Sequence, residues 1–499
     1  MMSLSREEES APVDESARRA TLSFLLAAAS HDLFPGRTLF IEHSLADGYY
    51  CHFGKGDRAT PEDADRLSRK MIDYLESDVP IILDDVPGKR LMEKFSREDR
   101  EDKLAILERW QVDPVPACRF GDFLDYRFEP MTDDKGGLGP FELRPYDAGF
   151  VLRFPVSGPS GKPAPFVDAP RLYGIIQENE RWGRILGVST IGDLNRLCAT
   201  GEIREMIWVA EGLHEKKIAR IADRLCEGFP EKRVVFVAGP SASGKTTFAR
   251  RLGIQLKVNG FSTRPVSMDD YFLDREKIPV DERGVKELET IRALDVDLLS
   301  DHVRRLLKGK AIPDRRFDFA SGRAYETGQS IRLPGDTFII LEGIHGLNPL
   351  FAERIGKGRV QRIYVSAITQ LNVDREHRVS TSDNRLLRRV VRDRKFRGYS
   401  AAETLSQWPA VRKGEDGNIF PFQEDADFMF NSSLVYEIPV LAADASALLR
   451  EIGKDHETYE KARQLLLFLS FFVEIPVQPV PETSILREFV GDSAFVERP

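Results

Sequence analysis

Eight residues constrain this chain more than any others: Gly239-Pro-Ser-Ala-Ser-Gly244-Lys245-Thr246, with Val234-Val-Phe-Val-Ala238 before them and a helical pattern, Thr246 to Lys257, after them. A β-branched run with no polar alternation is what a parallel strand covered on both faces requires. Glycines that end such a strand and open a helix let backbone N–H groups turn onto a phosphate, and the helix N-terminus adds its positive end. Every fixed position of GxxxxGK[ST] is filled, and the strand–turn–helix context that the motif needs is present. Gly239, Ser241, Ala242, Ser243, Gly244, Lys245, Thr246 and Thr247 are therefore expected to cradle the phosphates of a nucleotide. Lys245 would reach the β and γ phosphates, and the Thr246 hydroxyl would ligate Mg²⁺.

Two more runs of the same kind, Thr337 to Leu341 and Arg362 to Val365, alternate with helical stretches. That order predicts right-handed βαβ crossovers and an α/β fold, a parallel sheet flanked by helices. Ligands bind such sheets at the carboxyl ends of the strands, so acids placed there stand out. Asp269 and Asp270 follow the extended run ending at Ser267, and Glu342 ends Phe338-Ile-Ile-Leu, on the Mg²⁺ side. Arg385, Arg388, Arg389, Arg392, Arg394, Lys395 and Arg397 form a basic helix. Beside a phosphate loop such a run is expected to supply a mobile cationic clamp for phosphoryl transfer. A GTPase is disfavoured: the chain has no NKxD, and its DxxG, Asp281 to Gly284, lies in a polar loop with no strand before it.

Length and composition set the outer bounds. With 499 residues, two or three domains are expected. Hydrophobic residues at 41% and charged residues at 30% exclude a mostly disordered chain. A net charge of −8 leaves no global basic field, which counts against nucleic acid as a partner. Cys51, Cys118, Cys198 and Cys226 form no CxxC, so neither a disulfide scaffold nor a zinc ribbon is indicated. The start of the chain lacks a basic, apolar signal segment, and the greasiest stretch, Leu465 to Ile475, contains Glu474 and is too short to span a membrane. It reads as a buried helix, and the protein as soluble and cytoplasmic.

Pattern changes divide the chain. Residues 1–17 read as a disordered tail and 18–190 as a first, α+β domain. Within that domain Thr60 caps a helix with Pro61 at its first position and Asp63 three residues on, a hairpin is expected around Asp47-Gly48, and Phe154 to Pro165 reads as a loop. Residues 191–230 read as a helical connector, 231–445 as the phosphate-loop domain, and 446–499 as a C-terminal helix and tail packing on the core.

With these elements in order, residues 231–445 resemble the uridine kinase/phosphoribulokinase family of P-loop kinases. The resemblance is carried by the phosphate loop, Ser267-Met-Asp-Asp-Tyr-Phe272, Phe317-Asp318-Phe319 beside Arg323, Glu342-Gly-Ile-His-Gly-Leu347, and Arg392-Asp-Arg-Lys-Phe-Arg397-Gly398. It implies that Asp269 accepts the acceptor hydroxyl's proton near the metal, that Thr246 and Glu342 are Mg²⁺-side positions, and that Arg389, Arg392 and Arg397 surround the phosphates. On the acceptor side it implies Asp269, Phe272, Glu289, Phe317, Phe319, Arg323 and Arg389. The pyrimidine-reading His of uridine kinases is missing after Phe319, and Glu289 stands where their sugar-binding Asp would. Asp270 is better read as a loop-capping carboxylate. The expected activity is transfer of the γ-phosphoryl group of ATP to a hydroxyl of a nucleoside or related small molecule. The alternatives are a sugar or polyol acceptor, a nucleotide-gated RNA-binding regulator, and a degenerate kinase serving as a scaffold. A homo-oligomer is left open.

The first domain resembles the second N-terminal, editing domain of threonyl-tRNA synthetase over residues 19 to 150, through Phe24 to Gly36, Asp47 to Phe53 and Thr60 to Ile81. The editing residues of that family fall at Ala20, Phe24, Arg127 and Met131 here, so editing is not expected. His43, Cys51 and His52 survive nearby, most simply as partly exposed strand side chains, with a metal or catalytic role as the alternative. The pairing of the two modules is similar to a bacterial nucleoside-kinase-like subfamily, to which Met429 to Glu437 and the tail Ser484 to Phe495 also correspond; that tail reads as a packing strap.

Overall fold

A computed structural model describes residues 14–54, 57–155, 161–280, 286–287, 289–318 and 321–495. Phe319, the Asp281 to Gly284 DxxG, most of the expected tail and the middle of the Phe154 to Pro165 loop lie outside the described residues.

The N-terminal half is α+β. Strands β1 (Leu39–Leu45), β2 (Gly48–Phe53), β6 (Glu142–Tyr146) and β7 (Gly149–Arg153) form an antiparallel sheet ordered β1-β2-β7-β6; β3 (Ile81–Val86), β4 (Val115–Phe120) and β5 (Phe123–Tyr126) form a second. The helix Glu15–Leu33 buries Leu22, Leu25 and Leu26 against Ile41, Phe53 and Leu152. It starts earlier than the tail boundary at residue 17 allows, because Asp14 caps it by accepting from the Ser16 and Ala17 amides. The β1–β2 turn is also shifted by one residue from the expected Asp47-Gly48: Ala46 and Asp47 carry the positive φ angles, 49° and 59°, and Gly48 is already in the strand, paired with Leu45. The helix Pro61–Glu76 has the expected capping box of Thr60 and Asp63.

The second half is built on five parallel strands. Here β8 (Val234–Ala238), β9 (Ser262–Ser267), β12 (Thr337–Glu342), β13 (Val360–Ser366) and β14 (Phe428–Asn431) are ordered β14-β13-β8-β12-β9, while β10 (Ile312–Asp318) and β11 (Arg323–Ile331) form a separate hairpin. All of β8 is buried, as a strand covered on both faces must be. Helices Ile191–Thr200 and Ile203–Cys226 connect the halves.

Two expected boundaries do not match the packing. Residue 445 falls inside the helix Glu437–Arg450, and the helix expected to run to Ile475 stops at Ser470. Nor does the core break near 190: Val86, Phe95 and Tyr126 share one apolar cluster with Val237, Phe248 and Leu387, and with Ile485 and Phe489 of the tail. Polar contacts cross the same seam. The Ile41 amide donates to the Arg375 carbonyl at 2.9 Å, and buried Lys103 donates to Asp125 at 2.7 Å and Asp374 at 3.3 Å. Among the described residues no helix is long and apolar enough to cross a membrane.

Candidate functional site

The site forms where β8, β9 and β12 end together. β12 lies between the other two, with Glu342 in register with both Val237 and Ser267, so the phosphate loop, Glu342 and the turn Met268–Tyr271 meet at one sheet edge. Two glycines are required sterically. A Cβ on Gly239 would lie 1.9 Å from the Val365 carbonyl oxygen, and Gly244 has φ of +77° with the Ile485 side chain 2.4 Å from where a Cβ would sit.

Lys245 opens the helix Lys245–Val258, and its ammonium donates to the Pro240 carbonyl at 3.0 Å. The exposed Thr246 hydroxyl donates to Glu342 Oε1 at 3.4 Å, and Ser267 Oγ approaches the same oxygen at 3.5 Å. Burial raises the Asp269 carboxyl above the usual range, with Lys245 and Arg397 opposing. Burial and then the Asp269 charge push Glu342 up to about 7, against the pull of Lys245. Burial pushes the Lys245 ammonium down, with Glu342, Asp269 and Glu488 opposing. Acid thus exceeds base in a desolvated pocket. That excess, together with the hard oxygens of Thr246, Asp269 and Glu342, suits a divalent cation such as Mg²⁺.

Glu289 joins this group. Burial and Glu415 raise its carboxyl, while Arg389 and Lys245 hold it down. Asp270 does not join it: it accepts from the Phe317 amide at 3.3 Å and from Arg316 at 3.3 Å, and so fastens the β10–β11 hairpin. Phe272 is buried, its ring 5.6 Å from that of Phe317, and packs as core. Arg323 is not brought to the site; its exposed side chain pairs with Glu276 at 3.5 Å.

The basic helix Thr381–Phe396 does two separate jobs, where one mobile clamp was expected. Arg385 and Arg388 are fully buried and brace the loop from behind. Arg385 donates to the Ser241 carbonyl at 2.9 Å and to Glu415; Arg388 donates to the Ala242 carbonyl at 3.3 Å, the Ser432 carbonyl at 2.9 Å, and Glu437. Arg389, Arg392 and Arg397 form the other set. They gather on buried Asp393, at 3.2, 2.7 and 3.7 Å, and Arg389 also donates to Ser241 Oγ at 2.9 Å. Helical spacing alone could not separate the sets, because both carry the same charge.

Two acids at the loop, Glu415 and Glu488, escaped the sequence reading, and Asp393, within the Arg392 to Gly398 motif, was given no role of its own. Asp393 is the one whose signal was visible, an acid inside a basic run. Glu415 accepts from the Ser241 amide at 2.9 Å, and Glu488 accepts from the Thr247 amide at 3.1 Å and hydroxyl at 2.8 Å. Both reach the loop from far along the chain. In the N-terminal half, Ala20, Phe24, Arg127 and Met131 line one cavity, together with Asp125, Tyr126 and His377. Cys51 and His43, expected to be partly exposed, are buried.

Comparison with known proteins fits this geometry. The phosphoribulokinase/uridine kinase family profile matches residues 234–438. A uridine kinase of Staphylococcus aureus (strain JH9) is 30% identical over 197 residues, 39% of this chain and 86% of the relative. Solved structures align more distantly. A proposed fructose transport system kinase from Silicibacter sp. TM1040 is 19% identical with a TM-score of 0.31, over 43% of this chain and 98% of its own. A D-glycerate 3-kinase from Cryptococcus neoformans var. grubii is 13% identical with a TM-score of 0.24, over 56% of this chain and 88% of its own. On the extent of the sequence match, this chain belongs to the phosphoribulokinase/uridine kinase family.

Proposed function

We propose that this chain is an ATP- and Mg²⁺-dependent kinase that transfers the γ-phosphoryl group to a hydroxyl of a nucleoside or a related sugar or polyol. The observation that carries this reading is the convergence of Lys245, Thr246, Asp269 and Glu342 at the ends of three adjacent parallel strands. Thr246, Asp269 and Glu342 would hold the metal, which when bound neutralises charge on the phosphates. Lys245 positions the donor's terminal phosphates. Asp269 is placed to orient the acceptor hydroxyl and take its proton, a role that buried carboxylates fill well. Arg389, Arg392 and Arg397, held as a set by Asp393, stabilise the charge that spreads over the transferred group. Glu289, a carboxylate held down electrostatically by Arg389 and Lys245, would accept hydrogen bonds from a diol.

The test is phosphoryl transfer from labelled ATP with Mg²⁺ to a panel of nucleosides, sugars and polyols, with Lys245→Ala as the blank. Asp269→Asn should keep ATP affinity within about 3-fold while transfer falls about 10²–10⁴-fold, the usual worth of a general base. Absence of transfer to every acceptor, or full activity in Asp269→Asn, would sink the reading.

A further inference from the structure

The C-terminal segment Ser484–Val490 lies against the phosphate loop and the start of its helix, touching Gly244 and Thr247 directly and Arg388 beside them. Ile485 packs on Gly244, 2.4 Å from where a Cβ would be. The Glu488 carboxylate takes both the amide and the hydroxyl of Thr247, at 3.1 and 2.8 Å. The Phe489 ring lies 4.9 Å from the guanidinium carbon of Arg388, which braces the Ala242 carbonyl. The segment is anchored, since Lys395 donates to the Val490 carbonyl at 2.8 Å and Arg487 to the Val480 carbonyl at 2.6 Å.

Thr247 is the third residue of the loop's helix, where the amide has no partner within the helix and faces an anion. In a phosphate loop, amides at this helix N-terminus cradle the donor's phosphates. A carboxylate and a phosphate are both anions and acceptors, and one N–H cannot serve both. Nor can they share the pocket without repulsion, because it is already rich in acid from Asp269 and Glu342.

We propose that Glu488 is an internal occupant of the donor site: its carboxylate stands where a donor phosphate binds, and ATP must displace it from Thr247 to bind, loosening the turn Ser484–Val490 that carries it while Ile485 and Phe489 stay in the core. This deepens the kinase reading and rests on it. Glu488 sets donor affinity, since the apparent Kd is the intrinsic Kd divided by the fraction of molecules with its carboxylate displaced. If one molecule in about ten is open, the native Kd is about 10-fold weaker than that of a permanently open protein.

The competing account is that Glu488 simply caps the helix and stays in place when the nucleotide binds. Two measurements on the full-length protein separate these accounts. The first is the affinity of Mg²⁺·ATP for the native chain, Glu488→Gln and Lys245→Ala, by calorimetry. The second is hydrogen exchange of 484–490 in the native chain with and without Mg²⁺·ATP, which needs no variant to fold. The proposal expects Glu488→Gln to bind ATP about 10-fold more tightly and the native segment to exchange faster once ATP is bound. If ATP binds the native chain and Lys245→Ala abolishes it, yet Glu488→Gln binds equally or more weakly and 484–490 becomes no less protected, the segment is a cap and the proposal fails alone. If neither the native chain nor Glu488→Gln binds ATP, the donor site itself is wrong and both readings fall.

Discussion

Lys103→Met tests how the two halves are joined. Lys103 is 1% exposed, and its ammonium lies 2.7 Å from Asp125, 3.3 Å from Asp374 and 3.0 Å from Glu376. Around these acids stand Arg100, which bonds Asp102 and Glu376, His377, 2.7 Å from Asp374, and the Tyr126 hydroxyl, which donates to Asp374. At an effective dielectric near 20, each of the three contacts contributes about 5–6 kcal/mol of attraction, most of it offset by desolvation of the ions. Removing one partner of such a cluster costs about 3–5 kcal/mol, because the acids left behind stay buried and lose their counter-charge. Methionine keeps the volume, so little of that loss is cavity. The pH dependence gives the prediction its sign. Burial already raises the Asp125 carboxyl, and Lys103 opposes that rise; without Lys103 the pKa climbs further. At high pH the variant holds an unpaired carboxylate, and as pH falls Asp125 takes up a proton and the loss shrinks. Lys103 itself stays charged across that range, since the surrounding acids outweigh its burial and raise its pKa. Urea unfolding over a pH series, followed by fluorescence, reads the difference. A cost below about 1 kcal/mol, or one that does not shrink as pH falls, would refute the reasoning.

The same physics gives three further expectations. Arg388→Met should cost about 3–5 kcal/mol by stranding Glu437 and should also weaken ATP binding, because the Ala242 carbonyl loses its brace; thermal unfolding and calorimetry check the two parts. At His52 burial lowers the imidazole pKa, but Glu42, 3.2 Å away, outweighs it and raises the value from 6.5 to about 9. The stability from that pair is present below pH 6.5 and lost as pH rises through 9; Glu42→Gln should remove this dependence, as NMR titration of the ring and unfolding at pH 6 and pH 9 would show. Thr60→Ala should cost about 1 kcal/mol, since the Asp63 amide loses its cap, and Thr60→Asp should restore most of it in chemical unfolding.

Local chemistry made part of this protein legible in advance. Gly239 to Thr246, flanked by strand and helix, is a self-contained device whose geometry follows from glycine φ angles and a helix N-terminus. Glu342 was readable for a related reason: it ends β12, a buried strand of a parallel sheet, and an acid there lies at the sheet's carboxyl edge. Thr60 with Asp63, and the hairpin within one residue, were equally local.

What the sequence left open depends on contacts between distant segments. Arg385 and Arg389 are one turn apart and equally basic, yet one is sealed behind the loop on Glu415 and the other faces Ser241 Oγ. Only the packing of that helix against the loop and against the helix Ala401–Asn418 decides which is which. The seam at Lys103 joins acids from residues 125, 374 and 376, and no periodicity relates them. Glu488 is the clearest case. A glutamate in a polar-apolar tail carries no local signal, and it acquires meaning because the core places Ile485 and Phe489 on the loop. The chain alone thus determined that a phosphate would be bound and which backbone would bind it, because hydrogen-bond geometry in a short loop is a local property. Tertiary structure decided which charges surround that phosphate and what stands in its place beforehand, because electrostatics acts through space between residues that the sequence keeps hundreds of positions apart.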